Sequence, residues 1–151
     1  MRVLLQRVAE ASVVVASRTI AEIGPGLLAL VGVFPDDGMA EVDWLVDKTL
    51  GLRIFPDERK PMNRSVLEVG GAILVVSQFT LAADLSRGKR PSFGGAAPTD
   101  HAERLVEAYA SGLRTSCADV QTGRFGAHMQ VALVNDGPAT FLRHLRCSES
   151  L

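Results

Sequence analysis

Two stretches of the chain carry side chains whose types and spacing could do chemistry. Ser77-Gln78-Phe79-Thr80-Leu81 places two hydroxyls and an amide directly after the apolar run Ala72-Ile73-Leu74-Val75-Val76. The carboxyl end of a buried strand is a common place for a site in sheets with helical cover. Asn135-Asp136-Gly137-Pro138-Ala139-Thr140 follows a second apolar run. Taken alone it reads as a turn, because Asn and Asp bond to nearby backbone, Gly admits positive φ and Pro presets its own. Thr80 is the sharpest chemical group, a potential nucleophile, yet no base stands at a recognisable spacing to activate it. No Ser/His/Asp elbow is present, and no Gly-rich phosphate loop precedes a helix.

Composition narrows the classes. The chain has 151 residues, 47% hydrophobic and 22% charged, which fits one compact domain with a sizeable core. Its longest unbroken apolar stretch, Leu27 to Phe34, is far short of the roughly 20 residues that cross a bilayer. Gln6, Arg7 and Glu10 break any basic-then-apolar leader, so the expectation is a soluble cytoplasmic protein without a membrane partner. His101, His128 and His144 are scattered, and Cys117 and Cys147 lack metal-type spacing, so no metal site and ordinary reduced thiols are expected. A net charge of −1 does not advertise a nucleic-acid binder. Local clusters remain at Arg87-Gly88-Lys89-Arg90, at Arg59-Lys60 with Arg64, and at Arg143-His144 with Arg146, each of which fits solvated loop charge as well as a phosphate contact.

The elements that must position these groups follow from periodicity. Residues 2 to 8, 11 to 15 and 19 to 23 are rich in β-branched side chains and predict strands, the last closed by Gly24-Pro25-Gly26. Leu27 to Val33 and Ala72 to Val76 predict strands buried on both faces. Val42, Leu45, Val46, Thr49 and Leu50 recur at helical spacing, predicting a helix over about 38 to 51 that starts near Asp36 and Asp37. Ala102, Leu105, Val106, Tyr109 and Leu113 mark a second helix, with Asp100 and Glu103 at capping-box spacing. Short strands are predicted at 53 to 55, 66 to 69, 120 to 122 and 129 to 134, with Phe141-Leu142 closing the sheet. The aperiodic stretch 82 to 98 is too long to be an idle loop in a small domain.

Together the two motifs and their surroundings resemble the D-aminoacyl-tRNA deacylase family. The resemblance runs through Gln6-Arg7-Val8, Arg53-Ile54-Phe55, Met62-Asn63, Ser77 to Leu81, Arg90-Pro91-Ser92-Phe93, Thr122-Gly123-Arg124-Phe125-Gly126-Ala127, Met129-Gln130-Val131 and Asn135 to Thr140. It implies an α/β fold, a single domain over residues 1–146 with a mostly antiparallel or mixed, barrel-like sheet and two main helices, with 147–151 as a tail. It further implies a homodimer, without a cofactor, that hydrolyses the ester between a D-amino acid and the 3′-terminal adenosine of tRNA. In such a dimer the Gly137-Pro138 bond is cis and reaches into the partner's pocket beside the Ser77 to Thr80 motif.

The residue roles implied by the resemblance are specific. An ester carbonyl needs donors aimed at its developing oxyanion, and the backbone N–H groups of Phe79 and Thr80 at a strand end are the candidates; attack by water aided by the RNA 2′-hydroxyl is what the resemblance also suggests. Ser77 and Gln78 would shape the pocket, Phe125 and Met129 would line it, and Ala102 would leave room for adenosine. Gly137 and Pro138 would choose the substrate's hand through main-chain carbonyls, supported by Arg7, Asn135 and Thr140. Glycine has no side chain to refuse, so glycyl-tRNA is an expected second substrate. The alternative is a non-catalytic module that binds or edits tRNA ends on the same fold. Two departures from the family pattern stand out: Ala139 where Val is usual, and His128 where an acidic residue is usual.

Overall fold

Apolar side chains fall on one side of nearly every second residue from Arg2 to Val15. In the computed structural model, which describes residues 1–86 and 88–145, they form one 14-residue strand, β1. The two strands expected at 2 to 8 and 11 to 15 are therefore halves of a single element. The remaining elements are β2 (Arg18–Ile23), β3 (Gly26–Gly32), α1 (Met39–Gly51), β4 (Ala72–Ser77), a 3₁₀ turn (Phe79–Ala82), α2 (Thr99–Arg114), β5 (Val120–Thr122) and β6 (Gln130–His144).

β1 organises the sheet because both of its edges are used. Its first half lies antiparallel between β3 and the end of β6, with Leu5 opposite Ala29 and Phe141. Its second half lies between β2 and the start of β6, with Ser12 opposite Glu22 and Ala132. β3, β4 and β5 then continue in parallel. The Gln121 side chain of β5 accepts a hydrogen bond from the Glu22 backbone of β2 at 2.8 Å, so the curled sheet nearly closes on itself as a barrel. Gly26 permits that geometry: a Cβ there would lie 1.9 Å from the Ala72 carbonyl oxygen.

Alternation splits the core in two. Leu5, Leu27 and Ile73 face the helices and pack with Leu45, Tyr109 and Leu113, whereas Val8, Val13, Leu28 and Leu74 fill the inside of the curl. Leu27 and Leu28 are adjacent and both fully buried, one in each core. Burying both faces this way fixes register, since a slip by one residue would exchange the two cores. The α1 and α2 helices are tied by Thr49 and Tyr109, whose hydroxyls lie 2.7 Å apart, and burial pushes the Tyr109 phenol well above the usual tyrosine range. Burial likewise raises the Cys117 thiol, which is unbridged.

Several local expectations are corrected. Residues 66 to 69 are not a strand. Ser65 and Glu68 cap each other's backbone, Ser65 N–H donating to Glu68 Oε2 at 2.6 Å and Glu68 N–H to Ser65 Oγ at 3.3 Å, which winds the segment into turns. Residues 53 to 55 contribute a lone bridge, Phe55 to Arg64. Asp100 and Glu103 do not cap α2, whose start at Pro98 has no side-chain cap. Asn135 to Thr140 is not a turn between strands: β6 runs through it. No helix among the described residues is long and apolar enough to cross a membrane. Arg87, Arg146, Cys147 and the tail expected at 147–151 lie outside the described residues.

Candidate active site

The fully buried run of β4 ends where Ser77 becomes half-buried, and the chain leaves the sheet there. The Gln78 N–H still donates to the Val31 carbonyl at 2.7 Å, which keeps the exit aligned with β3. The next residues wind into the 3₁₀ turn, with Leu81 N–H to Gln78 O at 3.1 Å and Ala83 N–H to Thr80 O at 3.1 Å. Two residues absent from the expected site hold this turn. Arg2 Nη1 donates to the Leu81 carbonyl at 2.5 Å. Gly32 leaves space for the turn, since a Cβ there would fall 2.9 Å from Leu81 Cβ and 3.2 Å from the Gln78 oxygen.

The first N–H groups of a helical turn have no helical acceptor. Those of Phe79 and Thr80 occupy that position, and no acceptor for either is found among the described residues. The Thr80 hydroxyl lies 2.5 Å from the Gln78 amide nitrogen, which donates to it. An amide N–H cannot take a proton from the hydroxyl, so this partner does not activate Thr80 as a nucleophile.

Two cavities meet at Ser77 and Phe79. The larger, about 280 Å³, is walled by Ser77, Phe79, Ala96, Ala97, Ala102 and Phe125, with Val31, Val33, Thr99, Val106 and Gly126 completing it. It contains no ionisable side chain. The smaller, about 240 Å³, is lined by Ser77, Gln78, Phe79, Met129 and Val131, and His128 is its single ionisable wall residue. Beyond Phe125 a third hollow carries Glu103, Glu107 and Arg124. Of the expected lining residues, Ser77, Ala102 and Phe125 stand at the first cavity, Gln78 and Met129 at the second. Ala96 and Ala97 were not singled out within the aperiodic stretch 82 to 98, though two adjacent small residues there were a usable signal.

The second motif stands elsewhere in the chain. Gln6 pairs with Thr140 and Val8 with Asn135, so the four residues Asp136 to Ala139 bulge out opposite Arg7 alone. The bulge is tightly held. Asn135 Oδ1 accepts the Ala139 N–H at 2.8 Å, and Asn135 Nδ2 donates to Thr140 Oγ1 at 2.8 Å. Arg7, only 8% exposed, donates to the carbonyls of Asp136 at 2.8 Å and Ile54 at 2.5 Å. The Gly137–Pro138 bond is cis, Gly137 has φ of 146°, and both residues are exposed. Ala139 is buried at 3% exposure beneath them. Neither Gly137 nor Pro138 lines either of the two cavities of its own chain.

A family profile described as D-Tyr-tRNA(Tyr) deacylase matches residues 4–144. A Thermomicrobium roseum protein named D-aminoacyl-tRNA deacylase is 58% identical over 140 residues, 93% of this chain and 91% of that one. One of the same name from Dinoroseobacter shibae is also 58% identical, over 93% of this chain and 97% of its own. Among solved structures, a c-Myc DNA unwinding element binding protein superposes with a TM-score of 0.91 at 37% identity, covering 97% of this chain and all of that one. A probable eukaryotic D-amino acid tRNA deacylase shares the fold, with a TM-score of 0.84 at 17% identity over 94% of this chain and 97% of that one.

Proposed function

This chain belongs to the D-Tyr-tRNA(Tyr) deacylase family, and from that premise we propose that it hydrolyses the ester of D-aminoacyl-tRNA in a site completed by a second copy of itself. The observation that carries the reading is the pair of free N–H groups of Phe79 and Thr80, next to the wall shared by the two cavities. An ester straddling that wall would place its nucleoside in the larger cavity, between alanines and the Phe125 ring, and its aminoacyl group in the smaller one beside Gln78 and Met129. As water adds to the carbonyl, negative charge grows on its oxygen, and two preorganised backbone donors meet it without reorganisation. Removing a single such donor from an esterase typically costs about a hundredfold or more in turnover. No side chain in the larger cavity can act as base, and in this reading the work falls to backbone dipoles and the substrate's own 2′-hydroxyl rather than to His128 in the smaller cavity.

The hand of the amino acid would be read by the bulge of the partner. An enzyme accepting many D-amino acids must test the α-carbon, not the side chain. Main-chain carbonyls at Gly137 and Pro138 would accept the α-ammonium of a D-residue and leave an L side chain without room, a refusal by clash and by an unpaired buried charge. Gly137 and Pro138 are exposed on β6, which among the described residues pairs with β1 alone and so leaves an edge that a second copy would meet. Glycyl-tRNA would pass, having nothing to clash, and the cytoplasm, where charged tRNA is made, is the expected setting. Incubation with D-Tyr-tRNA and L-Tyr-tRNA tests the proposal. Release from the D form alone is expected. Absence of release from D-Tyr-tRNA would leave only a tRNA-end binding module, and equal release from both would remove the chirality reading.

A further inference from the structure

We propose that Phe93, Lys89 and Arg90 form a platform for the single-stranded RNA that precedes the terminal adenosine, so that the protein grips the last nucleotides of the tRNA outside the two cavities. The proposal rests on the deacylase reading for the direction in which the RNA enters.

The Phe79 ring is 58% exposed and the Phe93 ring 40% exposed, and the two pack on each other with centroids 4.9 Å apart at 59°. One exposed aromatic is ordinary, but a packed and water-facing pair at the mouth of a cavity marks a surface that meets a partner. Phe79 lines both cavities, so the pair continues the site outward.

The segment leading to Phe93 supplies the charge. Asp84 and Ser92 exchange backbone hydrogen bonds of 2.8 and 3.0 Å, closing the stretch that holds Lys89 and Arg90 into an excursion of its own. At its base, the Asp84 carboxylate is occupied by Ser86, whose hydrogen bonds hold it below the usual carboxylate range. Within the excursion Lys89 and Arg90 are exposed, and neither makes an ion pair among the described residues. The chain then passes Phe93 and goes on to Ala96 and Ala97 in the wall of the larger cavity. Cations, an aromatic face and a nucleoside-sized cavity thus follow one another along one stretch of backbone. Single-stranded RNA has the matching order: phosphates for Lys and Arg, bases for an aromatic face, and a terminal adenosine for the cavity. A folded protein partner would have no use for the third of these, which is why the occupant is RNA. It also answers how a chain of net charge −1 holds a polyanion: by a local patch rather than by its overall field.

The test compares two minimal substrates, adenosine esterified with D-tyrosine and the trinucleotide CCA esterified in the same way. The full-length protein should prefer the trinucleotide by about tenfold or more in kcat/KM, the scale of one stacked base. Phe93→Ala should remove most of that preference, Phe93→Trp should keep it, and Lys89→Ala with Arg90→Ala should lower it and flatten its salt dependence. Because the readout is a ratio, a general loss of folding or chemistry cancels. Binding of a fluorescent, unacylated CCA trinucleotide, followed by anisotropy, runs alongside, so a protein without esterase activity still decides the RNA question. A preference that persists in Phe93→Ala and in the Lys89→Ala, Arg90→Ala double variant, or no preference in the parent protein, would overturn the proposal.

Discussion

Gly137 and Thr80 make opposite claims at the scale of single residues. An alanine at Gly137 would hold a φ of 146° and bring its Cβ to 2.8 Å from the Ala139 nitrogen and 3.1 Å from Arg7 Nη2. Strain of about 1–3 kcal/mol in a forbidden region would be relieved by moving the bulge. Gly137→Ala should therefore cut kcat/KM on D-Tyr-tRNA by more than about tenfold, the equivalent of that strain, with only a small fall in Tm. Thr80→Ala should keep most of the activity, because the backbone N–H remains. The loss should stay well short of the hundredfold or so expected for a general base. Steady-state kinetics on both variants check the pair; the reverse ranking would make Thr80 the reacting group. Ser77, Gln78 and Thr80 were legible in sequence because polar residues at the end of a fully apolar strand are conspicuous. Arg2 and Gly32 were not, since a cation near a terminus and a glycine in a strand carry no local sign of the turn they support.

At the scale of elements, the strands buried on both faces and both helices were readable from periodicity alone, and β3, β4, α1 and α2 lie within a residue or two of expectation. What failed was local chemistry overruled by neighbours. Val66 to Val69 look extended by propensity, but Ser65 and Glu68 cap one another and wind them. Asn135 to Thr140 hold every signal of a turn, yet β1 pairs with both Asn135 and Thr140, so the four residues between them become a bulge inside one strand. The same logic makes Gly26 a structural rather than catalytic glycine. Gly26→Ala would push a methyl into the Ala72 carbonyl and force the parallel strands β3 and β4 away from each other. It should cost about 3 kcal/mol or more in urea unfolding, beyond the usual range for one added methyl in a core. A loss under about 1 kcal/mol would show that the β3–β4 contact is looser than the backbone distances state.

At the scale of the whole molecule, the cavity and the Gly137–Pro138 bulge stand apart within one chain, and the proposal makes each of them half of a site. Ser77, Phe79, Ala102 and Phe125 surround one cavity, while Gly137 and Pro138 project from β6 under the hold of Arg7. Sequence alone could list both sets but not their separation, because β6 looked like two short strands. In the proposed dimer, a second copy related by a two-fold axis would bring each bulge to the other's cavity. The most direct test co-expresses Ala102→Phe, which fills the cavity, with Gly137→Val, which deforms the bulge. Each alone should be inactive on D-Tyr-tRNA. Random pairing makes half of the dimers mixed, each with one intact site, so about a quarter of the parental activity should return. No recovery from dimers shown to be mixed would mean that each chain builds its site alone, and would contradict the account.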